Sequence, residues 1–268
     1  MYRMTRSQHV RGLPVLVVLF VAATAAACGL GEAGGSLGRL QKMAGSCPPG
    51  KQVAGFAAID ESGMERGDAT LSASRLQQVK NLATQTAVCG GQFEVTAFSS
   101  SETAFQTLYQ GNLQAVGATL NARLLRVPKI VDAVMQTVTE ALPGAVRELP
   151  AGATDVLSQF TAAAQYVEQL GNGYALDALI LSSGIATTGV AITNVPNFTA
   201  TAAASLAARV PVPRLAGATV EMTGIGVVAS GSPAPTYYVQ NLTHFYQIAC
   251  QKTGADCTVV TNPAGEET

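Results

Sequence analysis

Five cysteines and a chain with only two histidines set the limits on the chemistry available here. Cys28 follows Ala25-Ala26-Ala27 at the end of an apolar run over residues 13–27, and Arg3, Arg6 and Arg11 stand in front of that run. A basic start, an apolar stretch too short to span a bilayer, and small residues before a cut site make a secretory signal peptide. It is assigned to residues 1–27, so that the Cys28 thiol begins the mature chain. Cys47, Cys89, Cys250 and Cys257 remain. They are an even number in a chain bound for an oxidising compartment, where they pair as disulfides, and four cysteines allow three pairings. No free catalytic thiol is expected. Past the leader, His244 is the only histidine, and it lies beside Phe245 and Tyr246 as a packed or surface histidine would. Its isolation argues against a zinc site and against Ser-His-Asp hydrolysis, and no Gly-x-Ser-x-Gly elbow is present.

Composition agrees with an exported, folded protein. Cleavage removes three of the 16 Lys+Arg and none of the 17 Asp+Glu, leaving 13 against 17 and a mature net charge of −4. A mildly acidic chain without a basic run argues against nucleic acid as a partner. The mature length suits one domain with a full core. Residues 28–46, polar and rich in Gly and Ser, are expected to form a flexible tether. Residues 47–262 form the domain, and 263–268 a C-terminal tail.

Within the domain, strand and helix patterns alternate. Residues 53–59 (VAGFAAI) are a continuous apolar run ending at Asp60, as in a buried parallel strand. Residues 70–88 place Leu71, Val79, Leu82 and Ala83 on one helical face, and Gly90-Gly91 stops them. FEVTAF (93–98) is a strand, and 104–109 an edge strand. Pro128 fits the first turn of a helix carrying Ile130, Val131, Val134, Met135 and Val138. A further helix carries Leu157, Phe160, Ala164, Val167 and Leu170 and closes at Gly171. ALDALIL (175–181) is a central strand. An Ala-rich helix (200–210), a strand (218–225), a helix opened by Pro235 with Tyr238, Leu242, Phe245 and Ala249 inward, and a last strand (257–261) complete the series. Strands alternating with helices give an α/β, doubly wound, mainly parallel six-stranded sheet with helices on both faces.

Two resemblances follow from these residues. The run before Cys28 resembles the lipobox of bacterial lipoproteins, with Ala25 where Leu or Val is usual, which implies lipidation of Cys28. The order of elements, with particular residues at the strand ends, resembles the von Willebrand factor type A domain and its metal-ion-dependent adhesion site. Asp60-Glu61-Ser62-Gly63-Met64 is similar to the first loop, Asp-x-Ser-x-Ser, with methionine at the third ligand position. Gly152-Ala153-Thr154-Asp155 looks like the second loop, which supplies a threonine, and Leu181-Ser182-Ser183-Gly184 puts Ser183 where the third loop has aspartate. Thr223-Gly224-Ile225-Gly226 resembles the ending of the fifth strand. The implied metal ligands are Asp60, Ser62 and Thr154, in a degenerate site where Met64 and Ser183 replace expected ligands. Mg²⁺ requires six hard oxygens and carboxylate charge, and Met64 offers a thioether instead. The expectation is a site without resident metal, with Asp60 and Ser62 kept as loop-forming residues.

The type A fold implies that Cys47, Cys89, Cys250 and Cys257 all lie at the amino-terminal edge of the sheet, which pairs Cys47–Cys89 and Cys250–Cys257 as structural staples. Arg66-Gly67-Asp68 is a tripeptide read by some cell-surface receptors, but it also suits a helix start. Gly224-Ile225-Gly226 lacks the third glycine of a dinucleotide loop. The functional expectation is a membrane-anchored surface lipoprotein, held by its lipid on the extracytoplasmic face. There it acts as a protein-binding module for an envelope or extracellular partner. The alternative is an exported hydrolase or solute-binding lipoprotein of α/β architecture. One sheet without a hinge, and no convergent acid, base and nucleophile, favour the binding module.

Overall fold

The computed structural model describes residues 31–62, 68–101, 103–228 and 234–262. The leader, Cys28, Met64, Arg66, Gly67 and the 263–268 tail lie outside the described residues.

The apolar runs become strands β1 (Gln52–Asp60), β2 (Gln92–Phe98), β3 (Phe105–Asn112), β4 (Tyr174–Leu181), β5 (Thr219–Thr223) and β6 (Asp256–Val259). They form one sheet in the order β3-β2-β1-β4-β5-β6, parallel throughout except for the antiparallel edge strand β3. This is the mainly parallel, doubly wound architecture expected. β1 is buried along nearly its whole length because both of its faces are covered.

The helices are α1 (Gly31–Gly45), α2 (Ala69–Cys89), α3 (Leu120–Leu124), α4 (Val127–Glu148), α5 (Ser158–Leu170), α6 (Ala200–Arg209) and α7 (Thr236–Lys252). Asp68 caps α2, its carboxylate accepting from the Thr70 and Leu71 amides at 2.9 Å each. Pro128 sits in the first turn of α4, and Gly171 ends α5 with a φ of 87°. Phe160, Ala163 and Tyr166 form the buried stripe of α5, with Ala164, Val167 and Leu170 packed at its margin.

Residues 31–45 depart from expectation. Composition makes them a flexible tether, yet they form α1, from which Leu40 packs against the core and Gln41 donates to Asn121 at 2.9 Å. The folded unit therefore begins before Cys47. Tertiary contact and the covalent bond to α2 hold this glycine-rich segment helical, where its own propensity is poor.

Two cores lie on opposite faces of the sheet. On one, α2 and α4 cover Ala57, Ile59, Val95, Ala97, Leu108, Leu179 and Leu181. On the other, α5, α6 and α7 cover Phe56, Ala58, Ala178, Ile180, Val220 and Met222. The two layers are offset: α2 and α4 lie over β1, β2, β3 and part of β4, whereas α5 lies over β1 and β4 and α7 over β6, with α6 packed on α7. Each face thus leaves one corner of the sheet without a helix. Disulfides Cys47–Cys89 and Cys250–Cys257 staple the amino-terminal edge, the pairing expected, with Cα separations of 5.4 and 6.0 Å. Disulfides of this kind belong to proteins of oxidising compartments.

Candidate functional site

The carboxyl ends of β1, β2, β4 and β5 meet in a crown of loops. Asp60 is the last residue of β1 and is fully buried. Its Oδ1 accepts from the Ser62 amide at 3.0 Å, which folds the start of the loop back on the carboxylate. Its Oδ2 accepts from Ser182 Oγ at 2.6 Å. The parallel register pairs Ile59 with Leu181, so the next residues, Asp60 and Ser182, emerge side by side. Ser182 Oγ in turn accepts from the Gly184 amide at 3.0 Å, tying the β4 loop to the same carboxylate.

The second layer comes from helices. Arg75 on α2 is buried and donates to the Asp60 carbonyl at 2.9 Å, while Gln78 accepts from the Thr223 hydroxyl at 2.9 Å. Tyr246 on α7 donates its hydroxyl to the Gly184 carbonyl at 2.7 Å. Burial, and then the negative charge of Asp60, hold its phenol well above the ordinary range, so it stays a donor. Gly184 has a φ of 73°, and a Cβ there would lie 2.7 Å from the Tyr246 ring.

Thr154 reaches the same edge. The Glu61 amide donates to the Phe98 carbonyl and the Asp155 amide to the Ser99 carbonyl, so the loops before α2 and α5 both hang from the end of β2. Asp155 accepts from the Ser158 amide at 3.3 Å and opens α5. Thr154 is bracketed by Thr187, whose hydroxyl accepts from its amide at 2.9 Å. Ser62 Oγ, Ser99 Oγ and Thr154 Oγ1 are buried without a hydrogen-bond partner. Each such group costs about 1–3 kcal/mol unless something from outside satisfies it.

The sequence-assigned ligands therefore divide. Asp60, Ser62 and Thr154 come to one edge, but the hydroxyl on the Asp60 carboxylate is that of Ser182, not Ser183. Ser183 Oγ accepts from the Ile185 amide at 3.4 Å. Ser99 and Arg75 were not anticipated; a serine ending a strand and an arginine amid the apolar face of a helix were the available signals. His244 is exposed on α7. The orphaned hydroxyls suit a hard cation, yet the Asp60 carboxylate already accepts hydrogen bonds on both oxygens. Among the described residues no group of three His, Cys, Asp or Glu side chains is placed to hold a metal. Of the assigned ligands Asp60, Ser62 and Thr154, only Asp60 carries charge, and Mg²⁺ needs more anionic charge than that to offset its dehydration.

No protein-family model and no curated protein matches this sequence. Among solved structures, the pilus adhesin SpaC from Lactobacillus rhamnosus GG is similar at 13% identity over 81% of this chain and 29% of that one (TM-score 0.45). Proximal thread matrix protein 1 from the mussel byssus is similar at 15% identity over 76% and 46% (TM-score 0.38), and human COPII-coat protein Sec24c at 12% over 79% and 30% (TM-score 0.38). The chain spans less than half the length of each.

Proposed function

We propose that this chain is a lipid-anchored extracytoplasmic protein-binding module whose contact surface is the crown of loops around Asp60. One observation carries the reading: three buried hydroxyls, on Ser62, Ser99 and Thr154, stand unpartnered beside loops organised by one carboxylate. Such groups call for a partner entering from solvent, a water in the free protein and a polar group in the bound one. Open parallel sheets place their ligands at this edge. Catalysis is less well supported, because the Asp60 carboxylate is spent on loop hydrogen bonds and the histidine is exposed on a helix. No helix among the described residues is long and apolar enough to cross a membrane. The proposed attachment is the lipid on Cys28, and Cys28→Ala is expected to release the protein from membranes. Unchanged retention would overturn that part of the reading.

The crown is tested by photo-crosslinking in cells that make the full chain. A photoreactive residue at exposed Thr103, on the β2–β3 connection, is expected to capture a discrete protein adduct. The same residue at Lys51, exposed at the opposite edge, is expected to capture none. Adducts from Lys51 alone, or from neither position, would refute the assignment. Calorimetric titration with Mg²⁺ is expected to show no saturable uptake; uptake abolished by Asp60→Ala would overturn the metal-free reading.

A further inference from the structure

The offset of the helix layers leaves the β2–β3 corner of the sheet uncovered beside α5, and a cleft of about 120 Å³ opens there. It lies on the flank of the sheet, running from Glu94 toward Ser158 and Phe105 beside the end of β2, and Asp60 is not among its walls. Its walls are Phe56 from β1, Glu94 and Thr96 from β2, Phe105 from β3, and Tyr166 from α5.

Three features of this cleft ask for the same ligand. Tyr166 is 4% exposed and its hydroxyl has no hydrogen-bond partner, an unmet buried polar group. Glu94 is half-buried. One of its carboxylate oxygens accepts from Gln110 Nε2 at 2.9 Å, and no lysine, arginine or histidine lines the cleft to balance its charge. Burial raises the Glu94 pKa, and burial first and the Glu94 charge second raise that of Tyr166, so the two groups lie within electrostatic reach of each other. Finally, Phe56 and Tyr166 pack with ring centroids 5.9 Å apart, and Phe105 stands 47% exposed beside the opening.

Aromatic faces, an uncompensated carboxylate and an oxygen with free lone pairs are what an ammonium group recognises. A volume of this size holds about four waters at roughly 30 Å³ each, or a short alkyl chain with a charged end. We propose that the cleft is a binding pocket for an alkylammonium group, as carried by a lysine side chain or a small free amine. The stem lies against Phe105 and Phe56, and the ammonium donates to Glu94 and to Tyr166 Oη.

The probe is n-butylammonium, titrated into the folded protein at neutral pH and followed by the amide signals of β2, β3 and α5 in two-dimensional NMR, with n-butanol as the uncharged control. Saturable shifts confined to these elements are expected for the amine and not for the alcohol. Glu94→Gln is expected to weaken binding about tenfold or more, by loss of the charge-assisted bond. Tyr166→Phe separates this role from a structural one. Removing an unmet hydroxyl is expected to leave the melting temperature unchanged or higher, while binding weakens several-fold. A blocked lysine dipeptide then distinguishes the sources: tighter binding than butylammonium marks a protein-borne lysine, equal or weaker binding a free amine. No saturable shift, equal binding of butanol, or full affinity in Glu94→Gln would overturn the proposal.

Discussion

Replacing Asp177 by asparagine is expected to stabilise this protein at neutral pH and to leave it unchanged in acid. Asp177 on β4 borders a cavity of about 340 Å³ at the other uncovered corner of the sheet, facing α2. Glu221 on β5 shares that cavity, and the remaining walls, from Met43, Gln78, Asn81, Leu82, Gln85, Ala178 and Leu179, supply no cation. Burial first, and the Glu221 charge second, push the Asp177 carboxyl up to about 6 from 3.8. The folded state therefore holds a proton that the unfolded chain has released, and stability falls as pH rises from about 4 through about 6. A shift of about 2 units at 1.36 kcal/mol each sets an upper figure of about 3 kcal/mol, reduced toward about 2 by the water the partly exposed carboxylate retains. Asparagine has the same shape and its Oδ1 can still accept from Gln85 Nε2, which lies 2.8 Å from the Asp177 carboxylate. Urea unfolding of both proteins across about pH 4 to 8 reads the difference, because the titrations of groups not coupled to Asp177 cancel and only Glu221 shifts with it. The expected gap is near zero at about pH 4 and about 2–3 kcal/mol in favour of Asp177→Asn above about pH 7. A gap independent of pH, or a loss of stability at neutral pH, would refute the reasoning.

Other perturbations test the remaining structure. The chain-entropy model gives about 4 kcal/mol for the Cys47–Cys89 bridge and about 2.5 kcal/mol for Cys250–Cys257, because their sequence separations are 42 and 7. Paired Cys→Ala variants compared by urea midpoint should rank in that order, and the reverse order would mean that packing of the buried Cys250 dominates. Ser182→Ala removes the 2.6 Å bond to the Asp60 carboxylate and should cost about 2–3 kcal/mol in chemical denaturation; a cost below about 0.5 kcal/mol would show that this bond does not organise the crown. Gly184→Ala places a methyl against Tyr246 at a φ of 73° and should cost about 2–4 kcal/mol, measured as a drop in melting temperature; an unchanged melting temperature would show that the loop relaxes freely.

Local chemistry made much of this fold legible in the sequence. The run ending at Asp60 reads as a buried strand because a strand covered on both faces is apolar throughout, and the run ending at Leu181 departs from that pattern only at Asp177. Asp68, Pro128 and Gly171 mark helix ends because capping and φ restrictions act within a few residues. An even set of four cysteines announced two bridges, though choosing the pairing required the fold. What the sequence could not convey depends on register and on the placement of layers. Ser182 and Ser183 are chemically alike, and only the parallel alignment of β1 with β4 decides which hydroxyl meets Asp60. Residues 31–45 look like a linker by composition, yet packing of Leu40 and the bridge at Cys47 make them helix. Glu94, Tyr166, Asp177 and Glu221 carry no local sign of their surroundings. The lateral offset of two helix layers leaves one corner of each sheet face open, and that long-range arrangement alone sets these polar groups in half-dry clefts.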